Sequence, residues 1–135
     1  MFLGFDFGTK KIGIATGQRQ TQTATPLVTL KSIDGVPNWD KLAIIIHQWR
    51  PEGFVIGCPL HNDQSESKTS LKARAFGQEL SVRFNLPVYY VDEHLTSHEA
   101  RMLSREPEYQ GKVDIDALAA MLILEAWLKG DASLV

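Results

Sequence analysis

The chain has 135 residues, enough for one domain with a buried core. Its 44% apolar and 22% charged composition is that of an ordinary soluble globular protein. A formal net charge of −2 sets up no global basic field, so a nucleic-acid partner would have to be met by a local patch.

The opening segment, Phe2 to Ala15, carries one acid, Asp6, inside an apolar strand. A carboxylate removed from water there costs several kcal/mol or more unless a metal, a cation or a catalytic use compensates it. Gly8 permits a sharp turn and close ligand approach, and Lys10 to Ala15 resumes the strand pattern, so the segment reads as a hairpin with Asp6 near its turn. The apolar start is broken by Asp6 and lacks a basic leader, so no signal peptide is expected. The longest wholly apolar stretch, Ala117 to Leu124, is too short to span a membrane. The expected location is therefore cytoplasmic, with no membrane partner. A single cysteine, Cys58, excludes an internal disulfide and a cysteine zinc cluster and reads as a buried, inert thiol.

Thr23 to Leu30 is β-branched and reads as a third strand. Asp34-Gly35-Val36-Pro37 is turn chemistry. Asn38 is placed to cap a helix whose Leu42, Ile45, Ile46 and Trp49 recur at helical spacing, and Arg50-Pro51-Glu52-Gly53 ends it. Phe54 to Cys58 is a continuous apolar strand suited to a sheet covered on both faces. A helix from about Glu66 to Phe84 follows, with Ala73, Phe76, Leu80 and Phe84 as its buried stripe. Pro87 to Val91 is the last strand and ends on Asp92-Glu93. Thr96-Ser97-His98-Glu99 fits a capping box opening a helix to about Ser104. Arg105 to Val113 reads as a mobile polar loop, and Asp116 to Lys129 as a buried helix. Strands followed by strand–helix alternation imply an α/β fold, a mixed five-stranded sheet with helices on both faces.

Acids fall at three element ends: Asp6, the Asp92-Glu93 pair and Asp116. If the first, fourth and last strands are parallel neighbours, Asp6 and one of the pair emerge on one rim, as sites do in open α/β sheets. Asp92 and Glu93 point to opposite faces, so one of them serves. Asp116 competes with Asp114, and either is an acceptable helix N-cap. Converging carboxylates repel unless a cation neutralises them. Oxygen-preferring Mg²⁺ or Mn²⁺ fits the set, and two such ions ~3.5–4 Å apart would suit phosphodiester cleavage.

Four stretches resemble the YqgF/RuvX family of pre-16S ribosomal RNA nucleases and Holliday-junction resolvases. They are Phe5-Asp6-Phe7-Gly8-Thr9-Lys10-Lys11-Ile12-Gly13, Val55-Ile56-Gly57-Cys58-Pro59-Leu60, Val91-Asp92-Glu93-His94-Leu95-Thr96-Ser97, and Val113 to Ala120. The similarity runs from Phe2 to about Leu128, with the motifs in order. It implies an RNase H-like fold over 1–135 and a catalytic, metal-holding set of Asp6, Glu93 and Asp116. The implied cofactor is Mg²⁺ or Mn²⁺, and the implied partners are precursor 16S ribosomal RNA, branched DNA and pre-ribosomal particles. One departure stands out: His94 occupies the place of the family's usual Arg, exchanging a bidentate phosphate fork for at most one donor.

Other cations are candidates for phosphate contact. Lys10 and Lys11 lie beside Asp6, and Arg105 and Lys112 bracket the loop that could close over substrate. Arg74 matches the family's Arg-x-Phe pattern. Lys68, Lys72 and Arg83 read as a solvated helix face with phosphate contact as the alternative. Tyr109 is a candidate for base stacking. His47, His61 and His98 read as surface or core residues, and Trp39, Trp49 and Trp127 as core. The expected function is metal-dependent trimming of precursor 16S ribosomal RNA. Alternatives are four-way DNA junction cleavage, a non-catalytic ribosome assembly factor and, less in keeping with one short domain, an actin-like ATP-binding fold.

Overall fold

The computed structural model describes residues 1–58, 67–92 and 96–130, with the side chains of 96–98 excepted. The elements run β1 (Phe2–Asp6), β2 (Lys11–Gln18), β3 (Thr23–Ile33), β4 (Val36–Pro37), α1 (Trp39–Trp49), β5 (Gly53–Cys58), α2 (Lys68–Phe84), β6 (Val88–Asp92), α3 (Thr96–Leu103) and α4 (Ile115–Lys129). The sheet order is β4-β3-β2-β1-β5-β6. β1, β5 and β6 are parallel neighbours, and the remaining pairs are antiparallel. Among the described residues no helix is long and apolar enough to cross a membrane.

The sheet has six strands where the sequence led us to expect five. β3 runs on to Ile33, and Asp34-Gly35, both at positive φ (51° and 86°), form a two-residue turn that pairs Ile33 with Val36. An Asp-Gly pair in that conformation matches the twist of a tight hairpin. Pro26 is tolerated inside β3 because the register slips there, between Ile14 and Ala15 of the facing strand.

Local chemistry sets the helix ends. The Asn38 side chain accepts hydrogen bonds from the amides of Asp40 and Lys41, and Arg50 closes α1 in the left-handed region. Ser67 caps α2 through a reciprocal box with Ser70. α3 already begins at Thr96, so the capping-box residues expected there fall partly outside the described residues.

Strand alternation divides the apolar side chains between two cores. Leu3, Phe5, Ile14, Phe54 and Ile56 meet α1 and α2 on one face, with Phe76 edge-on to Phe5. Phe2, Val55 and Val91 meet Ile123, Leu124 and Leu128 of α4 on the other. α4 comes unusually close because β1 offers it Gly4: a methyl group there would sit 2.7 Å from the Leu124 Cβ. α3 packs on α4 as an outer layer, its Ala100 buried with Leu118, Ala119 and Ala120. Cys58 is buried, as expected. Trp39 stacks on Phe76 and Trp127 packs against Phe2 and Tyr89, but Trp49 is exposed, which corrects its assignment to the core.

Candidate active site at the ends of the parallel strands

Asp6 is the last residue of β1, and its register explains how it is exposed to a ligand. It lies opposite Gly13 of β2 on one side and Gly57 of β5 on the other. Paired residues share a face, so the carboxylate has no side chain beside it on either neighbouring strand. Asp6 itself is half-buried. The rung continues to Thr29 of β3 and Val91 of β6, all on the α4 side of the sheet.

α4 enters on that same rung. A methyl group at Gly13 would fall 1.9 Å from the Asp116 carbonyl oxygen, so the first turn of α4 rests directly on the strand beside Asp6. Asp114 occupies the N-cap position, without a side-chain cap hydrogen bond, and Asp116 follows inside the first turn, half-buried. The N-cap reading of Asp116 is thereby corrected. Asp114 ends the connection and is exposed, and Asp116 is the residue whose backbone carbonyl rests on Gly13, the strand partner of Asp6. Asp92 pairs with Cys58, on the α2 side of the sheet, so it does not share the Asp6 face. Glu93 and His94 lie outside the described residues. Among the described residues no group of three or more His, Cys, Asp or Glu gathers as a metal set; two carboxylate-bearing positions, Asp6 at the end of β1 and Asp116 in the first turn of α4, are what this part of the site provides.

The cations sort by face. Lys11 opens β2 two residues before Gly13, exposed and on the Asp6 side. Lys10 is exposed in the turn after Asp6, where its carbonyl accepts from the Ser32 amide at 2.8 Å. Lys112 is exposed in the turn that leads into α4. Arg74 is not gathered with them. It lies over the Tyr90 ring at 5.0 Å, and its carbonyl accepts from the Tyr90 hydroxyl. Tyr90 pairs with Ile56 on the α2 face, so Arg74 and Asp6 are on opposite sides of the sheet. Lys72 pairs with Asp34, and Arg83 pairs with Glu79 and covers Trp39 at 4.4 Å, which supports the solvated-face reading of α2.

The Arg105–Val113 segment is a succession of turns rather than an open loop, with the Tyr109 and Gln110 amides both donating to Glu106. Tyr109 packs into the α3–α4 core and its hydroxyl meets the Met121 Sδ at 3.9 Å, so it is not offered to a base. Burial pushes its phenol, and that of Tyr90, above the usual range. His47 is exposed with its ring edge-on to Phe84; His61 and the His98 side chain lie outside the described residues. Sequence reasoning missed the role of Gly13 and Gly57 as the bare flanks of Asp6. The signal was two glycines inside strand patterns, which marks close approach of a backbone or ligand.

The fold places the chain in the RNase H-like class. It aligns with the Thermus thermophilus RuvC structure (TM-score 0.57, 17% identity, 99% of both chains covered) and with the Fowlpox virus resolvase in complex with Holliday junction DNA (TM-score 0.56, 12% identity, 96% of this chain and 97% of that one). A family model described as "RuvX: Holliday junction resolvase" matches residues 1–130. Curated relatives named "Putative pre-16S rRNA nuclease" are 44% identical in Pseudomonas aeruginosa, over 95% of this chain and 91% of the relative. In Legionella pneumophila the figure is 43%, over 96% and 95%. The chain belongs to the RuvX family.

Proposed function

We propose that this chain is a cytoplasmic, divalent-metal-dependent nuclease that trims the precursor of 16S ribosomal RNA, acting on pre-ribosomal particles. The observation that carries the reading is the single rung on which Asp6, flanked by Gly13 and Gly57, meets the first turn of α4 with Asp116. The relatives' name supports the substrate. Hard oxygen donors without sulfur or imidazole suit Mg²⁺ or Mn²⁺. Asp6, Asp116 and Glu93 would hold the metal, Glu93 being the member of its pair left once Asp92 is assigned to the other face. When bound, such ions activate water and offset charge on the scissile phosphate.

The protein's own part is orientation and charge. The β1–β2 register holds Asp6 at the strand end, and the Gly13 contact fixes the start of α4, so neither carboxylate position depends on a loop. Lys10, Lys11 and Lys112 supply cations beside the acids, where they hold the phosphate backbone. Junction cleavage is the second reading. It is favoured by the family's description and by the likeness to a Thermus thermophilus RuvC in complex with a Holliday junction substrate (TM-score 0.55, 17% identity, covering 99% of this chain and 98% of that one).

The test is cleavage of precursor 16S RNA and of a four-way DNA junction, with Mg²⁺, Mn²⁺ or EDTA, by wild type and Asp6→Asn. RNA trimming that needs a divalent ion and disappears in the variant is the expected result. Preference for the junction would favour the second reading. Cleavage in EDTA or by Asp6→Asn would overturn the mechanism, and RNA binding without cleavage would make the protein an assembly factor.

A further inference from the structure

Lys11 and Lys31 are directly opposite each other on β2 and β3. Their Cβ atoms are therefore about 4.5–5.5 Å apart, a spacing at which like charges destabilise a strand pair. Both are exposed, and neither makes an ion pair with the described residues. Alternation puts them on the face of Gly13 and Thr29, one step of about 7 Å along the strands from the rung of Asp6. Beside Lys31 on that face, a cleft of about 420 Å³ separates β3 from the start of α4. Leu27, Thr29 and Ala117 line it, with Lys112 and, two residues on, the acidic Asp114. The opposed Lys11 and Lys31, one strand step from the Asp6 rung, and Lys112 on the cleft two residues further along β3 at Thr29 make a local group of cations in a chain whose net charge is −2.

We propose that Lys31, together with Lys11, clamps a phosphate of the bound nucleic-acid strand next to the one being cleaved, and that the strand then runs along the β3–α4 cleft past Lys112. A phosphate seated between the two ammonium groups turns a repulsive pair into an attractive triad, which accounts for a juxtaposition that costs stability in the free protein. The inference rests on the nuclease reading in taking the ligand to be a nucleic-acid strand and the cleaved phosphate to sit at Asp6. It does not depend on a metal.

The test is equilibrium binding, by fluorescence anisotropy with divalent ions chelated, of a labelled single-stranded RNA oligonucleotide and of a four-way DNA junction. Wild type, Lys31→Gln, Lys31→Arg and the charge-matched control Lys129→Gln are compared. Lys31→Gln is expected to bind several-fold more weakly. Its log–log salt slope should be shallower by about 0.7 on the single strand, or about 0.9 on duplex arms, as for one lost phosphate contact. Lys31→Arg should restore both, and the melting temperature of Lys31→Gln at low salt should be equal to or above that of wild type. Affinity and slope no different from Lys129→Gln would overturn the clamp. So would weakened binding accompanied by a lowered melting temperature, or one that arginine does not restore. Clamp-dependent binding, with no cleavage once the bound oligonucleotide is given Mg²⁺ or Mn²⁺, would refute the nuclease reading and leave the clamp standing.

Discussion

At the scale of single residues, Gly13 is the most constrained position in the site. A methyl group there would meet the Asp116 carbonyl at 1.9 Å, a backbone atom held by its helix and unable to give way. Gly13→Ala should therefore push α4 outward, costing about 1–3 kcal/mol of overpacking or more and shifting Asp116 away from Asp6. Thermal denaturation with a cleavage assay reads both losses, and an unchanged melting temperature would contradict the contact. The two acids at the start of α4 separate cleanly. Asp114 makes no side-chain cap hydrogen bond, so Asp114→Ala should cost less than the ~1 kcal/mol typical of a working cap. Asp116→Asn should keep the fold and abolish cleavage, and full activity in that variant would remove Asp116 from the site. Thr29 gives a third case: its hydroxyl is buried without a hydrogen-bond partner among the described residues. Thr29→Val keeps the β-branched shape and removes that desolvated group, so stability should rise by about 1 kcal/mol, read by urea unfolding. A fall would show that the hydroxyl has a partner in solution.

Elements impose faces, which a linear pattern cannot carry. The Asn38 cap, the apolar β5 and the buried stripe of α2 were all readable, because each depends on local spacing or on a single cap residue. Which side of the sheet a helix covers is a tertiary fact. Arg74 was a candidate for phosphate contact, yet the pairing of Tyr90 with Ile56 puts it on the α2 side, away from the Asp6 face. Lys31 went unnoticed for the same reason, since its proximity to Lys11 appears only once the β2–β3 register is known. The polar composition of Arg105–Val113 signalled a loop. What it could not show is that Tyr109 anchors the turns to α4. The α2–β6 seam has its own pH response. Burial holds the Tyr90 phenol neutral above the ordinary range. Below pH about 10 the phenol is neutral in both folded and unfolded chains, and this contribution is fully present. As pH rises through that value the unfolded chain ionises first, so stability falls until the folded phenol also titrates. Tyr90→Phe should weaken the alkaline loss followed by circular dichroism between about pH 9 and 11.5, and an identical profile would assign the loss to other groups.

For the whole molecule, three layers converge on one rim. β1, β5 and β6 run parallel to that edge, and α4 returns across the sheet to begin beside Asp6. The succession of elements pointed to a mixed sheet, but the parallel neighbourhood of β1, β5 and β6 entered the sequence reading only as a condition, and the strand register is what supplies it. The carboxylates proposed for the site come from distant parts of the chain, so a cation shared among them would tie β1 to α4 and should stabilise the entire fold. A ligand that binds only the native state adds about 2.7 kcal/mol at a hundredfold excess over its Kd. For a chain of this length that is an increase in melting temperature on the order of 10 °C. Wild-type protein titrated with Mn²⁺ or Mg²⁺ should show this rise and lose it on adding EDTA, with Asp6→Asn and Asp116→Asn responding much less. A rise of equal size in both variants would place the ion elsewhere. No rise in wild type at millimolar metal would mean that the ion joins the site only together with the phosphate of the substrate, in which case a non-cleavable oligonucleotide should bring the variant-sensitive stabilisation back.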